Sequence, residues 1–306
     1  MQFQYSQKRL WAVVPCGKYR SSPFEFISYF HGSIKKALAK RLTILVMLLC
    51  SLAATSQTFE GARASGLAGT TVTLGDVWST FHNQAGLTDI TEFQAGVYYM
   101  NRFAVKELGD KGLSVAGKLG NGVIAGSYQS FGFSDFSQSK SGLAYALPLN
   151  DKFSIGVQIN FHNTRIAEYG SSSAFSVEGG FIYKLNNKLI LAAHIENPTR
   201  AKQAEYLDTR YPSIIRAGAT YIFSDKVSLI GQVQQDTEQK VIGSGALEYN
   251  ILETIVIRAG VSSNPTLSSF GFGYKSKYFR ADIATSYHSV LGFSPQLSLV
   301  YALNGF

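Results

Sequence analysis

Residues 153–162 alternate without a break. Phe153, Ile155, Val157, Ile159 and Phe161 are apolar, and Ser154, Gly156, Gln158, Asn160 and His162 stand between them. A period of two puts the two sets on opposite faces of one extended strand. The pattern recurs in Leu113/Val115/Gly117/Leu119, Phe175/Val177/Gly179/Phe181/Tyr183 and Ile215/Ala217/Ala219/Tyr221. It continues in Ile255/Ile257/Ala259/Val261, Phe279/Ala281/Ile283/Thr285/Tyr287 and Leu297/Leu299/Tyr301/Leu303. No segment after residue 90 carries a helical period, so this part of the chain reads as all-β.

The turns set the strand count. Asn121-Gly122, Asn150-Asp151, Asn186-Asn187, Ser224-Asp225, Asn250 and Ser276-Lys277 suit two-residue hairpins, because Asn, Asp and Gly tolerate positive φ. Between successive tight turns there is room for two strands and a longer polar link, near 105–111, 134–140, 165–173, 197–212, 235–240, 262–267 and 287–294. The expected strands are 91–104, 112–120, 122–133, 141–149, 152–164, 174–185 and 188–196, then 212–223, 226–234, 241–249, 253–261, 268–275, 278–287 and 295–304, 14 in all.

A soluble β-sandwich would also alternate, but its outer face would be charged. Here charged residues are 16% of the chain, against about 25% in soluble domains, and the polar face is mostly Ser, Gly, Gln and Asn. Aromatics fall near strand ends (Tyr98, Tyr99, Phe131, Phe133, Tyr183, Tyr221, Tyr274, Tyr278, Phe279, Tyr287, Tyr301), where an interfacial girdle would sit. Short turns at one end and longer loops at the other characterise outer-membrane barrels. The expected architecture is a transmembrane antiparallel up-and-down β-barrel over 91–306, with the short turns in the periplasm. The closing segment ends in Phe306, beyond the last expected strand, and that residue is out of phase with Leu297–Leu303.

The net charge of +8 belongs to a leader, not to a nucleic-acid surface. Residues 1–56 hold eight Lys/Arg and the single acid Glu25, leaving 20 basic against 19 acidic residues beyond them. Lys35, Lys36, Lys40 and Arg41 precede an apolar run over 42–54, and Ala53-Ala54-Thr55-Ser56 close it. A basic start, a short apolar stretch and small residues make a signal peptide, and the run falls short of the roughly 20 residues that an anchor needs. Cleavage is expected near Ser56–Gln57. Residues 1–34 are long for the basic region, which translation starting further downstream would explain. Both cysteines, Cys16 and Cys50, lie in the leader, so the body offers no thiol chemistry or disulfide. Met47-Leu48-Leu49 before Cys50 lacks the small residue that lipidation favours.

Residues 61–87 read GARASGLAGTTVTLGDVWSTFHNQAGL. This resembles the start of FadL-like outer-membrane barrels, especially the PorV/PorQ group associated with type IX secretion. Gly61, Ala62, Arg63, Ala64, Gly66, Gly69, Asp76, Asn83, Ala85, Gly86 and Leu87 match the pattern, and Gln84 stands where the family has proline. The resemblance implies that residues 57–90 form a plug-like hatch inside a 14-stranded barrel. Small residues allow close approach in a lumen, and Arg63 and Asp76 can pair with lumen charges.

By strand parity Lys118, Glu178, His194, Glu196, Arg216, Arg258, Arg280 and Asp282 face inward. Such charges would cost about 2–4 kcal/mol at mid-depth on the lipid face. They read either as a hydrogen-bonded ladder tying the plug in place or, through the three arginines, as a path for an anionic ligand. Neither His162 nor His194 has a nucleophile or metal-ligand spacing around it, and no phosphate-binding loop is present, so neither an enzyme nor a cofactor is expected. Two functions follow from the resemblance. One is a scaffold or shuttle in type IX secretion, with secretion-system proteins or cargo as partners. The other is a channel for hydrophobic molecules such as fatty acids. Outer loops offering only Tyr206, Leu207, Val290 and Leu291 as apolar capture residues tilt the sequence reading towards the scaffold.

Overall fold

A computed structural model of the chain describes residues 59–203, 210–237 and 239–305. The leader with its cleavage position, Tyr206, Leu207 and Phe306 lie outside the described residues. Fourteen antiparallel strands close into a barrel. They are β1 (Gln94–Asn101), β2 (Gly109–Leu119), β3 (Gly122–Gly132), β4 (Phe136–Pro148), β5 (Phe153–Ile166), β6 (Gly170–Lys184) and β7 (Leu189–Glu196). After these come β8 (Ile214–Ser224), β9 (Val227–Asp236), β10 (Ile242–Leu252), β11 (Ile255–Ser262), β12 (Leu267–Lys275), β13 (Phe279–His288) and β14 (Gly292–Ala302). Neighbours in sequence are neighbours in the sheet, and β1 pairs with β14 from Gln94↔Ala302 to Met100↔Gln296. Closure leaves no strand edge, which hydrocarbon requires because it cannot hydrogen-bond a free backbone group.

The barrel is inside-out relative to a soluble domain. On β5, Val157 and Ile159 are each 60% exposed, while Gln158 and Asn160 between them are 2% and 0% exposed. A sandwich in water would bury the aliphatic set, so this wall is built to face lipid. Tyr99, Phe133, Tyr221, Tyr274, Tyr278, Phe279 and Tyr287 also point outward near the strand ends. Two aromatics depart from the expected girdle. Tyr98 is buried in the lumen, edge-on to Trp78 at 5.7 Å, and the Phe131 ring lies under the Arg102 guanidinium at 4.1 Å. Tyr98 is one residue out of phase with outward Tyr99, and Phe131 shares the inward phase of Ser127 and Gln129, whereas Phe133 lies beyond the end of β3.

The tight turns fall where Asn, Asp and Gly mark them, between β2 and β3, β4 and β5, and so on around that rim (the turn end). The opposite rim (the loop end) is shorter than expected. Residues 134–140 and 165–173 read as links, yet β4 starts at Phe136, and only 167–169 separate β5 from β6. The link at 287–294 likewise shrinks to 289–291. Those stretches are rich in Ser, and polarity there marks water at the rim rather than loss of pairing. Asn163 on β5 donates to Ser173 Oγ on β6 at 2.9 Å in that extension. Longer connections remain at 102–108 and 197–213.

Residues 59–90 lie inside the barrel as the hatch. It consists of helix α1 (Ala62–Gly66) and two 3-10 turns, Val77–Thr80 and Gln84–Asp89. Asp76 caps the first turn by accepting from Trp78 N, and Asn83 caps the second by accepting from Ala85 N. Val77, Trp78, Phe81, Leu87 and Ile90 form an apolar core with Tyr98, Ala116, Val123 and Val300 of the wall.

Candidate functional site

The hatch motif is a set of fitted positions. Gly61 has φ 89 and backs onto Trp78, where an added Cβ would come within 2.9 Å of the indole. Gly66 passes the backbone of Gly271 on β12, and a Cβ would sit 3.0 Å from its Cα. Gly69 and Gly86 are enclosed by the Phe59 ring and the Leu74 carbonyl. Ala62, Ala85 and Leu87 are fully buried, Ala64 nearly so, and Ala62 N donates to Ser298 Oγ of β14 at 3.2 Å. The Asn83 amide donates to the carbonyls of Val72 (2.8 Å) and Phe181 on β6 (3.2 Å). Gln84, where the resemblance calls for proline, is buried and points at His194 Nε2, 3.2 Å away.

Arg63 and Asp76 complete a closed ring of six alternating charges towards the turn end. Arg63 bridges Asp76 at 2.9 Å and Glu248 of β10 through two bonds, at 2.8 and 3.0 Å. Glu248 meets Arg258 of β11 at 2.6 Å, and Arg258 meets Asp282 of β13 at 2.7 Å. Asp282 meets Arg280 at 2.8 Å, and Arg280 returns to Asp76 at 3.4 Å. Burial alone would raise the Asp76 carboxyl; Arg63 and Arg280 outweigh it and hold the group below its ordinary range.

A second network lies towards the loop end. Lys140 on β4 bridges Glu178 on β6 (3.2 Å) and Glu196 on β7 (2.9 Å), and Arg216 on β8 bridges Glu196 (3.1 Å). Gln158 and Asn160 donate to Glu178 at 2.9 and 2.6 Å. Arg216 donates to His194 Nδ1 at 3.2 Å, which leaves the proton on Nε2, directed at Gln84 Oε1 and Glu178 Oε2. A third group seats the start of the hatch. Gln129 on β3 donates both to Glu60 (3.1 Å) and to Asp110 (3.2 Å), while Asp110 also accepts from Tyr98 and pairs with Arg102. Burial, reinforced by the Asp110 carboxylate, pushes the Glu60 carboxyl up to about 7. Burial pushes the neighbouring His82 down to about 4; its Nε2 donates to the Glu60 carbonyl at 2.9 Å.

Seven of the eight residues placed inward by parity join these networks; Lys118 does not. It keeps the phase of Ser114 and Ala116 but lies exposed beside the β2–β3 turn, where the lumen opens to water. The anionic path along Arg216, Arg258 and Arg280 is also corrected, since each guanidinium already faces a carboxylate. Sequence reasoning passed over Lys140 and Asp110, which fell in expected links, and Glu248, whose parity between outward Leu247 and Tyr249 marked it as inward. His162, singled out earlier, bonds Ser176 Oγ at 2.8 Å and stacks on Tyr211 at 4.4 Å.

No family profile matches the chain, and no curated protein matches it in sequence. Solved structures do. The toluene transporter TodX of Pseudomonas putida has a TM-score of 0.64 at 11% identity, over 81% of this chain and 100% of that one. The monoaromatic hydrocarbon channel CymD gives 0.63 at 13% identity, over 80% and 98%. A FadL homologue of Pseudomonas aeruginosa gives 0.58 at 12%, over 80% and 99%. This chain shares the fold of these barrels. At such identities the likeness is one of fold, and it extends over nearly the whole of each neighbour.

Proposed function

We propose that this FadL-like barrel is an outer-membrane channel for hydrophobic small molecules, exported through a cleaved signal peptide over residues 35–56. The observation that carries the reading is the fold, shared over nearly the full length of proteins described as hydrocarbon channels. The lipid-facing wall and the hatch seated in the lumen support it. The role in type IX secretion expected from residues 61–87 gains nothing from these comparisons, and the channel replaces it as the leading reading. The hatch motif then serves to build and seat the plug, and the inward charges serve as its fastening and as wall filling. A hydrophobic solute cannot cross paired, desolvated charges cheaply, so passage requires the hatch to move.

The test is uptake of radiolabelled toluene and of a radiolabelled long-chain fatty acid by outer-membrane vesicles carrying the barrel. Saturable uptake of either probe above empty vesicles is expected. Uptake of neither, together with loss of protein export on deleting the gene, would restore the secretion role instead.

A further inference from the structure

The six-charge ring divides at the boundary between hatch and wall. On the hatch side stand Arg63 and Asp76, bridged to each other at 2.9 Å. On the wall side stand Glu248, Arg258, Asp282 and Arg280, linked in series at 2.6, 2.7 and 2.8 Å. Each side holds equal numbers of positive and negative charges. The contacts that cross the boundary are Arg63–Glu248 and Asp76–Arg280.

We propose that the ring is a separable joint: as the hatch disengages from β10–β13 those two ion pairs part, and both halves stay paired and neutral. Charge arithmetic supports this. Had the hatch contributed only arginines, and the wall only carboxylates, withdrawal would strand uncompensated charges in a low-dielectric lumen, the costly case for a broken buried pair. Here no charge is orphaned. Several other polar hatch–wall links are neutral hydrogen bonds that water can replace. Thr73–Thr220 (2.6 Å), Thr80–Ser114 (2.9 Å) and Thr88–Ser154 (3.0 Å) are neutral hydroxyl pairs. Gln232 serves the Thr71 and Val72 amides, and Gln84 meets His194. The ion pair Lys184–Asp89 sits at the rim with both side chains 41% exposed, where such pairs contribute little.

The joint does not depend on which solute the barrel carries, so its test uses ions. Purified mature protein, without the leader, should show rare, brief openings in planar bilayers. Glu248→Gln removes the two-bond partner of Arg63 and should raise opening frequency more than tenfold. It leaves one surplus positive charge in the lumen, so those openings should favour anions. Arg63→Gln leaves one surplus negative charge and should open as readily but favour cations, a reversal that mere misfolding does not produce. The body contains no cysteine, so Thr73→Cys/Thr220→Cys forms one defined disulfide; on either variant it should suppress the openings until reductant is added. Unchanged opening frequency in both ring variants, or openings that persist under the disulfide, would overturn the joint. Failure of toluene and fatty-acid uptake alongside intact joint behaviour would overturn only the channel.

Discussion

Two of the charge networks in the lumen are made of the same chemistry and used differently. The ring towards the turn end includes two hatch residues among its six, so the plug is part of its circuit. The Lys140–Glu178–Glu196–Arg216 network towards the loop end is complete within β4, β6, β7 and β8, and meets the hatch through the neutral Gln84–His194 contact. Charged hydrogen bonds exceed neutral ones by about twofold, so the ring fastens the plug more firmly per contact. The second network instead fills a wall whose inward face has little apolar volume to pack. Like chemistry in two parts of a lumen therefore does not mean like function. What separates them is whether the circuit passes through the moving element.

Substitutions can break this contrast. The largest effect belongs to Asp282→Ala, which strips a fully buried carboxylate from two arginines and should cost about 3–5 kcal/mol. Heat-modified gel mobility reads it as a lowered unfolding temperature, with the hatch newly open to protease. Glu178→Ala should cost about 3 kcal/mol by the same argument, yet leave the hatch as protected as before. If it frees the hatch as Asp282→Ala does, the division of labour fails.

Glu60→Gln sharpens the picture through pH. The Glu60 carboxyl is raised from 4.5 to about 7, so its contribution is fully present below pH 4.5, declines as pH rises, and is lost above about 7. The variant should match the native barrel below pH 4.5 and exceed it at pH 8 by about 3 kcal/mol. A native barrel that is already as stable as the variant at pH 8 would show Glu60 ionised at no cost. Gln84→Ala deletes the neutral contact and should cost about 1 kcal/mol in unfolding free energy. Lys118→Ala should change stability by less than about 0.5 kcal/mol, as expected of an exposed rim lysine.

Much of the barrel is written in local pattern. Phe153 to Phe161 declares its outward face, and Asn150, Asn186 and Asn250 declare the turns that bound the strands. The hatch motif was legible because its glycines and alanines answer to steric contacts that tolerate few substitutes, such as Gly61 against Trp78. The misses share one cause. Lys140, Asp110 and the Ser-rich ends of β4–β6 were read as loop because polarity in sequence signals water, and a strand crossing a rim or lining a lumen meets water too. Tyr98 and Phe131 were placed in the girdle from their nearness to strand ends, whereas parity decides which side a ring takes.

The sequence by itself determined the strand period and the two faces of the alternating runs, because these depend on neighbours within a few positions; the plug was implied by the resemblance of residues 61–87. It could not determine which charges meet. Arg63 and Glu248 are 185 residues apart, and their pairing requires the register of fourteen strands together with the path of the hatch through the lumen. Coulombic partners are chosen by distance in space, so that choice was left to the tertiary structure.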